Sequence, residues 1–393
     1  MRTIQTSAIA LLIIGIAVLG YFLNKARIEG YVISNDVATN YTVSGQFGDF
    51  VGGVVGTFFA LSGTLLIFLN FREQTKENKR SGFESSFFEM IRLYRSNVSE
   101  LKYDKSNKHR SATYENRQVL REIFQEFEEC YKEIRRFSNS ENTKDYFTKT
   151  YEKKLLSIVK PINPKINIIE MAAIDLAYMT VFFGLSAEGE QIIKNNIKTR
   201  YKSEYFSRLL HFLKLKPERS DNDRFDNWTK LLNLPPKDLH ETTQALYKAK
   251  KKPESMITDL QLAKDFKMEH KYEKYYRGHQ FRLGHYFRHL YQSFKYLNNH
   301  PDITDKEKYE YGKMYRAQLS TYEQALILIN SISCLGMKWE FTPEAPDKKM
   351  PHSTKLITKY NIIKNLPGEH LSGIRYRTYY PNIAYESDEQ KLR

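Results

Sequence analysis

The residues best suited to chemistry lie in one stretch, from about His279 to Leu297, reading HQFRLGHYFRHLYQSFKYL. On a helical wheel Leu283, Phe287, Leu290, Phe294 and Leu297 fall together as a core-facing side, while Arg282, His285, Arg288, His289, Gln292 and Tyr296 share the other. Histidine exchanges protons near neutral pH, and arginine holds phosphate through a rigid fork of donors. Arg282, His285 and His289 are therefore the candidate catalytic residues, suited to acid and base work on a phosphodiester or to phosphate binding. His285 and His289 also have the i, i+4 spacing of a metal pair. No carboxylate or cysteine close in sequence completes a site, so no metal is expected.

The competing reading of the same face is a solvated surface or a polar network that binds helix to helix. Its partner would be Met314–Gly336, where Arg316, Ser320, Glu323 and Asn330 form a polar stripe beside Leu319, Tyr322, Leu326 and Ile329. Arg288, Arg316, Glu323 and Asn330 are the expected members of such a network. No Gly-rich phosphate loop with a following Lys, no Gly-x-Ser-x-Gly elbow and no Cys-x-x-Cys occurs, which removes the enzyme classes built on those motifs and leaves any cofactor unassigned.

Two apolar segments precede this region. The first runs from about Ser7 to Leu23, and the second, Phe50 to Leu69, is twenty residues without charge. At about 1.5 Å per residue the second covers the roughly 30 Å hydrocarbon core of a bilayer. A signal peptide competes for the first segment, but it lacks a small-x-small site before Asn24, and a second span follows soon after. Gly48, Gly52, Gly56, Ala60 and Thr64 recur every four residues and predict a helix-packing seam, with the first segment or another copy of the chain as partner. Arg72, Lys76, Lys79 and Arg80 flank the exit of the second segment and place that end in the cytoplasm by the positive-inside bias.

From Arg72 onward the periodicity is helical almost everywhere, with stripes such as Phe83, Phe87, Ile91, Tyr94, Val98 and Leu101, or Leu120, Phe124, Phe127, Tyr131 and Ile134. Lys102–Arg110 is polar and reads as a loop. Ile168–Leu185 is apolar, but Glu170 and Asp175 inside it would each cost about 2.5–3.5 kcal/mol at membrane depth, so a buried core helix is expected. The stretch 214–253 reads as turns and a solvated basic run around Lys248, Lys250, Lys251 and Lys252. The expected architecture is all-α: a two-helix transmembrane hairpin over 1–72, a helical cytoplasmic domain over 73–340, and an irregular C-terminal extension over 341–393.

Composition adds the partner classes. A formal charge of +15, from 61 Lys and Arg against 46 Asp and Glu, suits RNA or anionic lipid as partner of the basic surface. Two cysteines far apart, Cys130 and Cys334, imply neither a disulfide framework nor a zinc finger and fit a reducing cytosol.

Three stretches carry a family resemblance: GDFVGGVVGTFFALSGTLLIFLNFREQTKENKR leading into FESSFFEMIRLYRSNV, then FRLGHYFRHLYQSFKYL, then YRAQLSTYEQALILIN, together spanning roughly Gly48 to Gly336. With these the chain resembles the phage abortive infection proteins of the AbiC-like bacterial membrane family. The resemblance implies a multi-pass inner-membrane defence protein that arrests or kills the infected cell, with no catalytic residues to carry over. A more distant likeness is to HEPN ribonucleases, in which an Arg and a His four to six residues apart converge across a dimer to cut RNA. Arg282 and His289 have that spacing, although Leu283 stands where HEPN motifs favour a polar residue. Two mechanisms are thus expected to compete, membrane disruption by an oligomer of the spans and RNA cleavage at the membrane. A third reading is a sensor or scaffold that acts with a second defence protein or answers a phage trigger.

Overall fold

The computed structural model describes residues 2–31, 38, 40–107, 110–250, 272–341 and 355–391. They form two compact units, Met1–Ser86 and Phe87–Arg393. Helix dominates both, and among the described residues the only sheet is a two-stranded hairpin.

The first unit holds α1 (Arg2–Ile28) and a second helical run made of α2 (Tyr41–Phe50), a π turn (Val51–Val55) and the start of α3 (Gly56–Ser99). Both runs are long and apolar enough to cross a membrane. They pack through small contacts: the Ser62 hydroxyl donates to the Ala8 carbonyl at 2.8 Å, and a Cβ at Gly15 would lie 2.9 Å from the Phe59 ring. Phe22 stacks on Phe50 at 4.1 Å. Elsewhere Ile9, Ile13, Ile16, Leu66, Ile67 and Phe68 are exposed, the reverse of a water-soluble pattern.

The predicted packing seam is not where α1 sits. Gly48, Gly52, Ala60 and Thr64 are exposed and Gly56 half-buried, and a Cβ at Gly48 or Gly52 would meet nothing within 4 Å. The row of small residues also crosses the π turn. Because a π turn is wound more widely than an α turn, Gly48 and Gly52 are offset from the ridge that Gly56, Ala60 and Thr64 share.

The second unit is assembled around α4 (Arg117–Phe137) and α6 (Ile168–Phe183), which lie side by side. Between them in sequence comes α5 (Lys149–Val159), and after them α7 (Ala187–Ile197), α8 (Ser203–Lys214), α9 (Asn222–Asn233) and α10 (Pro236–Lys250). Then follow α11 (Gln280–Asn299), α12 (Asp305–Arg316) and α13 (Thr321–Ile332), the last resting on both α4 and α6. The α6 segment is a core helix, buried along nearly its whole length. Its Asp175 is satisfied: Oδ1 accepts from the Cys334 backbone N–H and Oδ2 from the Tyr201 hydroxyl, both at 2.7 Å. The tail joins this unit too, with Tyr360, Tyr376, Tyr379 and Tyr380 buried.

Two local expectations are corrected. Lys102–Arg110 is no loop: β1 (Lys102–Asn107) pairs antiparallel with β2 (Arg110–Glu115), from Lys102 opposite Glu115 to Asn107 opposite Arg110. Its inward face is Tyr103 and Lys105, one strand period apart, and these meet carboxylates of α4 in place of an apolar core. The polar composition hid the strand. The stretch from 214 holds α9 and α10; Pro236 is the first residue of α10, where a missing N–H costs nothing. Lys251, Lys252 and Pro253 lie outside the described residues.

Candidate functional site

Three segments converge at the start of α11: the end of α6, the start of α7, and the chain from Tyr275 to His279. They approach at backbone distance. His279 N–H donates to the Phe182 carbonyl at 2.8 Å, and Leu185 N–H to the Tyr276 carbonyl at 2.8 Å. Gly184 and Gly278 face each other with φ of +77° and +91°. A Cβ on Gly184 would lie 2.5 Å from the Arg277 carbonyl, and one on Gly278 2.6 Å from the Phe183 oxygen. Both positions thus demand glycine for conformation and for room. Gly278→Ala is expected to destabilise the second unit by about 1–3 kcal/mol from backbone strain. A lowered urea midpoint in the full chain would register it, and an unchanged midpoint would refute the interlock.

Just beyond this crossing lies a chain of buried polar contacts. His279 and Glu126 are 1% and 2% exposed, and the His279 Nε2–H donates to Glu126 Oε2 at 2.9 Å. That tautomer follows from the other side of the ring, where Arg282 Nη1 donates to His279 Nδ1 at 3.2 Å. The Tyr103 hydroxyl donates to Glu126 Oε1 at 2.6 Å, and Lys105 Nζ lies 3.4 Å from the same oxygen. Burial alone would raise the Glu126 carboxyl, but His279, Lys105 and Tyr103 outweigh it and hold it down to about 2. A histidine this enclosed does not meet a substrate. The chain fixes where α11 begins.

Sequence reasoning missed this chain, although a signal was present. Glu122, Glu126, Glu129 and Glu133 recur at spacings of four, three and four along α4, on the side that is buried. Each finds a cation from a distant segment. Lys105 serves Glu122 and Glu126, Lys216 Nζ lies 2.6 Å from Glu133 and 3.0 Å from Glu129, and Arg219 also reaches Glu129. A run of acids in phase with an apolar face marks buried ion pairs, not a solvated side.

The predicted site residues divide. Arg282 is half-buried, its Nε–H donating to the Lys102 carbonyl at 2.8 Å and its guanidinium 4.7 Å from the Tyr103 ring centre; burial lowers its pKa. His289 donates from Nε2 to the Met90 carbonyl at 2.8 Å. No hydrogen bond joins Arg282 to His289, and each is held by a different backbone carbonyl. His285 and Arg288 are exposed and look into a cleft. The expected polar network is not one network. Arg316 donates to the Tyr360 carbonyl at 2.8 Å, Asn330 donates to the Tyr178 hydroxyl at 3.0 Å, and Glu323 is buried between Tyr94, Tyr286 and Arg117. Among the described residues no cluster of metal-ligating side chains occurs.

The cleft has a volume of about 660 Å³ and lies along the first two turns of α11. It is lined further by Phe183 and the start of α7, and by Leu335, Lys338 and Trp339. Its basic side chains are Arg277, His285, Arg288 and Lys338, against one acidic residue, Glu188.

Fold and site together define an all-α protein with a basic, aromatic-walled cleft, in a chain that carries two helices of membrane-spanning length. Residues 278–371, about a quarter of the chain, match the family model described as "Putative phage abortive infection protein", and the match supports a role in defence against phage. Neither a curated protein nor a solved structure matches the chain. The matched segment begins at Gly278 and contains α11, α12 and α13, so it includes the α11 residues of the cleft and one of the two glycines of the crossing.

Proposed function

We propose that this chain is an anti-phage effector anchored in the bacterial inner membrane, with the bulk of the chain in the cytoplasm, which arrests or kills the infected cell. The observation that carries the reading is the abortive infection match in a chain with two helices long and apolar enough to cross a bilayer. The apolar outer face of those helices supports a lipid environment. The open glycines Gly48 and Gly52 on one side of the π turn, and the exposed small residues Ala60 and Thr64 on the other, support self-association, because a second backbone can approach closely where side chains are absent or small. The helix α3 bears both the apolar stretch and Phe87, Ile91, Tyr94 and Val98, which are buried in the second unit, so one element serves membrane and domain alike. The ribonuclease reading gains nothing from the geometry, since Arg282 and His289 are each held by a carbonyl.

Plating a broad phage panel on cells with and without the gene tests the role; equal plaque counts throughout would refute it. For the mechanism, Gly52→Leu with Gly56→Leu is expected to abolish oligomers, dye-reported depolarisation during infection, and protection. A doubly substituted protein that is monomeric yet still depolarises cells would overturn assembly as the means of killing.

A further inference from the structure

We propose that the cleft beside the start of α11 binds a nucleotide, its phosphates held by Arg288 and Lys338 and its base against the exposed ring of Phe281. This goes beyond the defence role and does not depend on it.

The charge arrangement comes first. Of the four basic groups on the walls, Arg277 is already paired with Glu218 and Glu273. Arg288 and Lys338 are not: among the described residues neither has an acidic group within ion-pair distance. The Lys338 amine sits 4.2 Å from the centre of the Tyr291 ring. Burial lowers its pKa, and the charges of Lys295 and Arg288 lower it further. Lys338, Lys295 and Arg288 repel one another, and among the described residues no carboxylate pairs with any of them; an anion with more than one charge removes that repulsion. Arginine's planar fork and the lysine point charge together suit phosphate oxygens.

The apolar half of the cleft selects what the phosphates are attached to. Phe281 lines the cleft and is 68% exposed, and the Arg282 guanidinium lies 4.1 Å from its ring centre. Phe183 and the edge of the buried Trp339 are among the other residues that line the cleft. An exposed ring beside a cation cluster fits a planar base attached to phosphate. About 660 Å³ falls within the range of small-molecule sites. Gly284 lies on the cleft with nothing within 4 Å of where its Cβ would be, so a large side chain there fills the cleft without displacing the core.

The full chain in nanodiscs of neutral lipid is titrated calorimetrically with ATP, GTP, CTP and UTP, and separately with pyrophosphate and adenosine. At least one nucleoside triphosphate should bind, with pyrophosphate weaker by about tenfold or more and adenosine undetected. Arg288→Gln and Lys338→Gln should each weaken the nucleotide by about tenfold, and Gly284→Phe should abolish binding. The proposal is overturned if no triphosphate binds, if pyrophosphate binds as tightly as the nucleotide, or if both glutamine variants retain wild-type affinity. Should Gly284→Phe fail to fold, those two exposed positions decide alone.

Discussion

Replacing Glu323 by alanine is expected to cost the second unit about 3–5 kcal/mol, the usual penalty for breaking a buried charged network by removing one partner. Glu323 is fully buried at the first turn of α13. One carboxylate oxygen accepts from the Tyr94 hydroxyl and, at 3.4 Å, from the Tyr286 hydroxyl. The other accepts from Ser320 N–H at 2.6 Å and lies 3.4 Å from Arg117 Nε. Ser320 returns the bond by accepting from Glu323 N–H, which completes a capping box. Alanine therefore removes a helix cap and strands two hydroxyls in one step. Trp228 and Trp339 are both buried in the second unit, so tryptophan fluorescence during urea unfolding of the full chain in detergent reports on it. Glu323→Gln keeps an accepting oxygen and should lose less. If alanine costs under about 1 kcal/mol, the carboxylate is not what holds these helices.

Glu126→Ala should be comparably severe, about 3–5 kcal/mol at neutral pH, because His279, Lys105 and Tyr103 would all lose the same acceptor. This site also has a pH signature. The folded carboxyl is held down to about 2 against an ordinary value of 4.5. A depressed folded pKa means that the stabilisation is complete above 4.5 and is lost as pH falls from there toward 2. Burial raises Glu133, Glu170 and Glu340, and these act in the opposite sense as acid is added. The clean measurement is therefore the stability difference between wild type and Glu126→Gln. It should be constant above about pH 5 and shrink below it; a difference that stays flat to pH 3 would rule out the assigned pairing.

The apolar half of this fold was legible in the sequence and the polar half was not. Leu283, Phe287, Leu290, Phe294 and Leu297 are all buried, as their spacing predicts, and α6 is the core helix its two acids implied. The polar face of α11 was readable as unusual but not divisible into parts. What divides it are the Lys102 and Met90 carbonyls, backbone atoms 180 and 199 residues away that no residue type announces. The hairpin and the acidic stripe on α4 escaped for the same reason. Glu126 reads as a surface acid until Lys105 and His279 are known to lie against it. His279, the first residue of the stretch singled out for chemistry, lies four residues before Leu283 and so continues the core-facing side, where it is buried.

The crossing of Gly184 and Gly278 bears on how such a chain can be inherited. Gly278 is the first residue of the segment that matches the abortive infection family, and Gly184 lies well outside it. Each glycine leaves the room that the other's backbone needs. A recombination breakpoint anywhere between them would join one half of this crossing to the other half from another lineage, with success only where both parents carry glycine there. The matched segment is thus not a cassette that can be exchanged by itself, and viable chimaeras should place their junctions before Gly184 or retain α6, α7 and α11 from one parent.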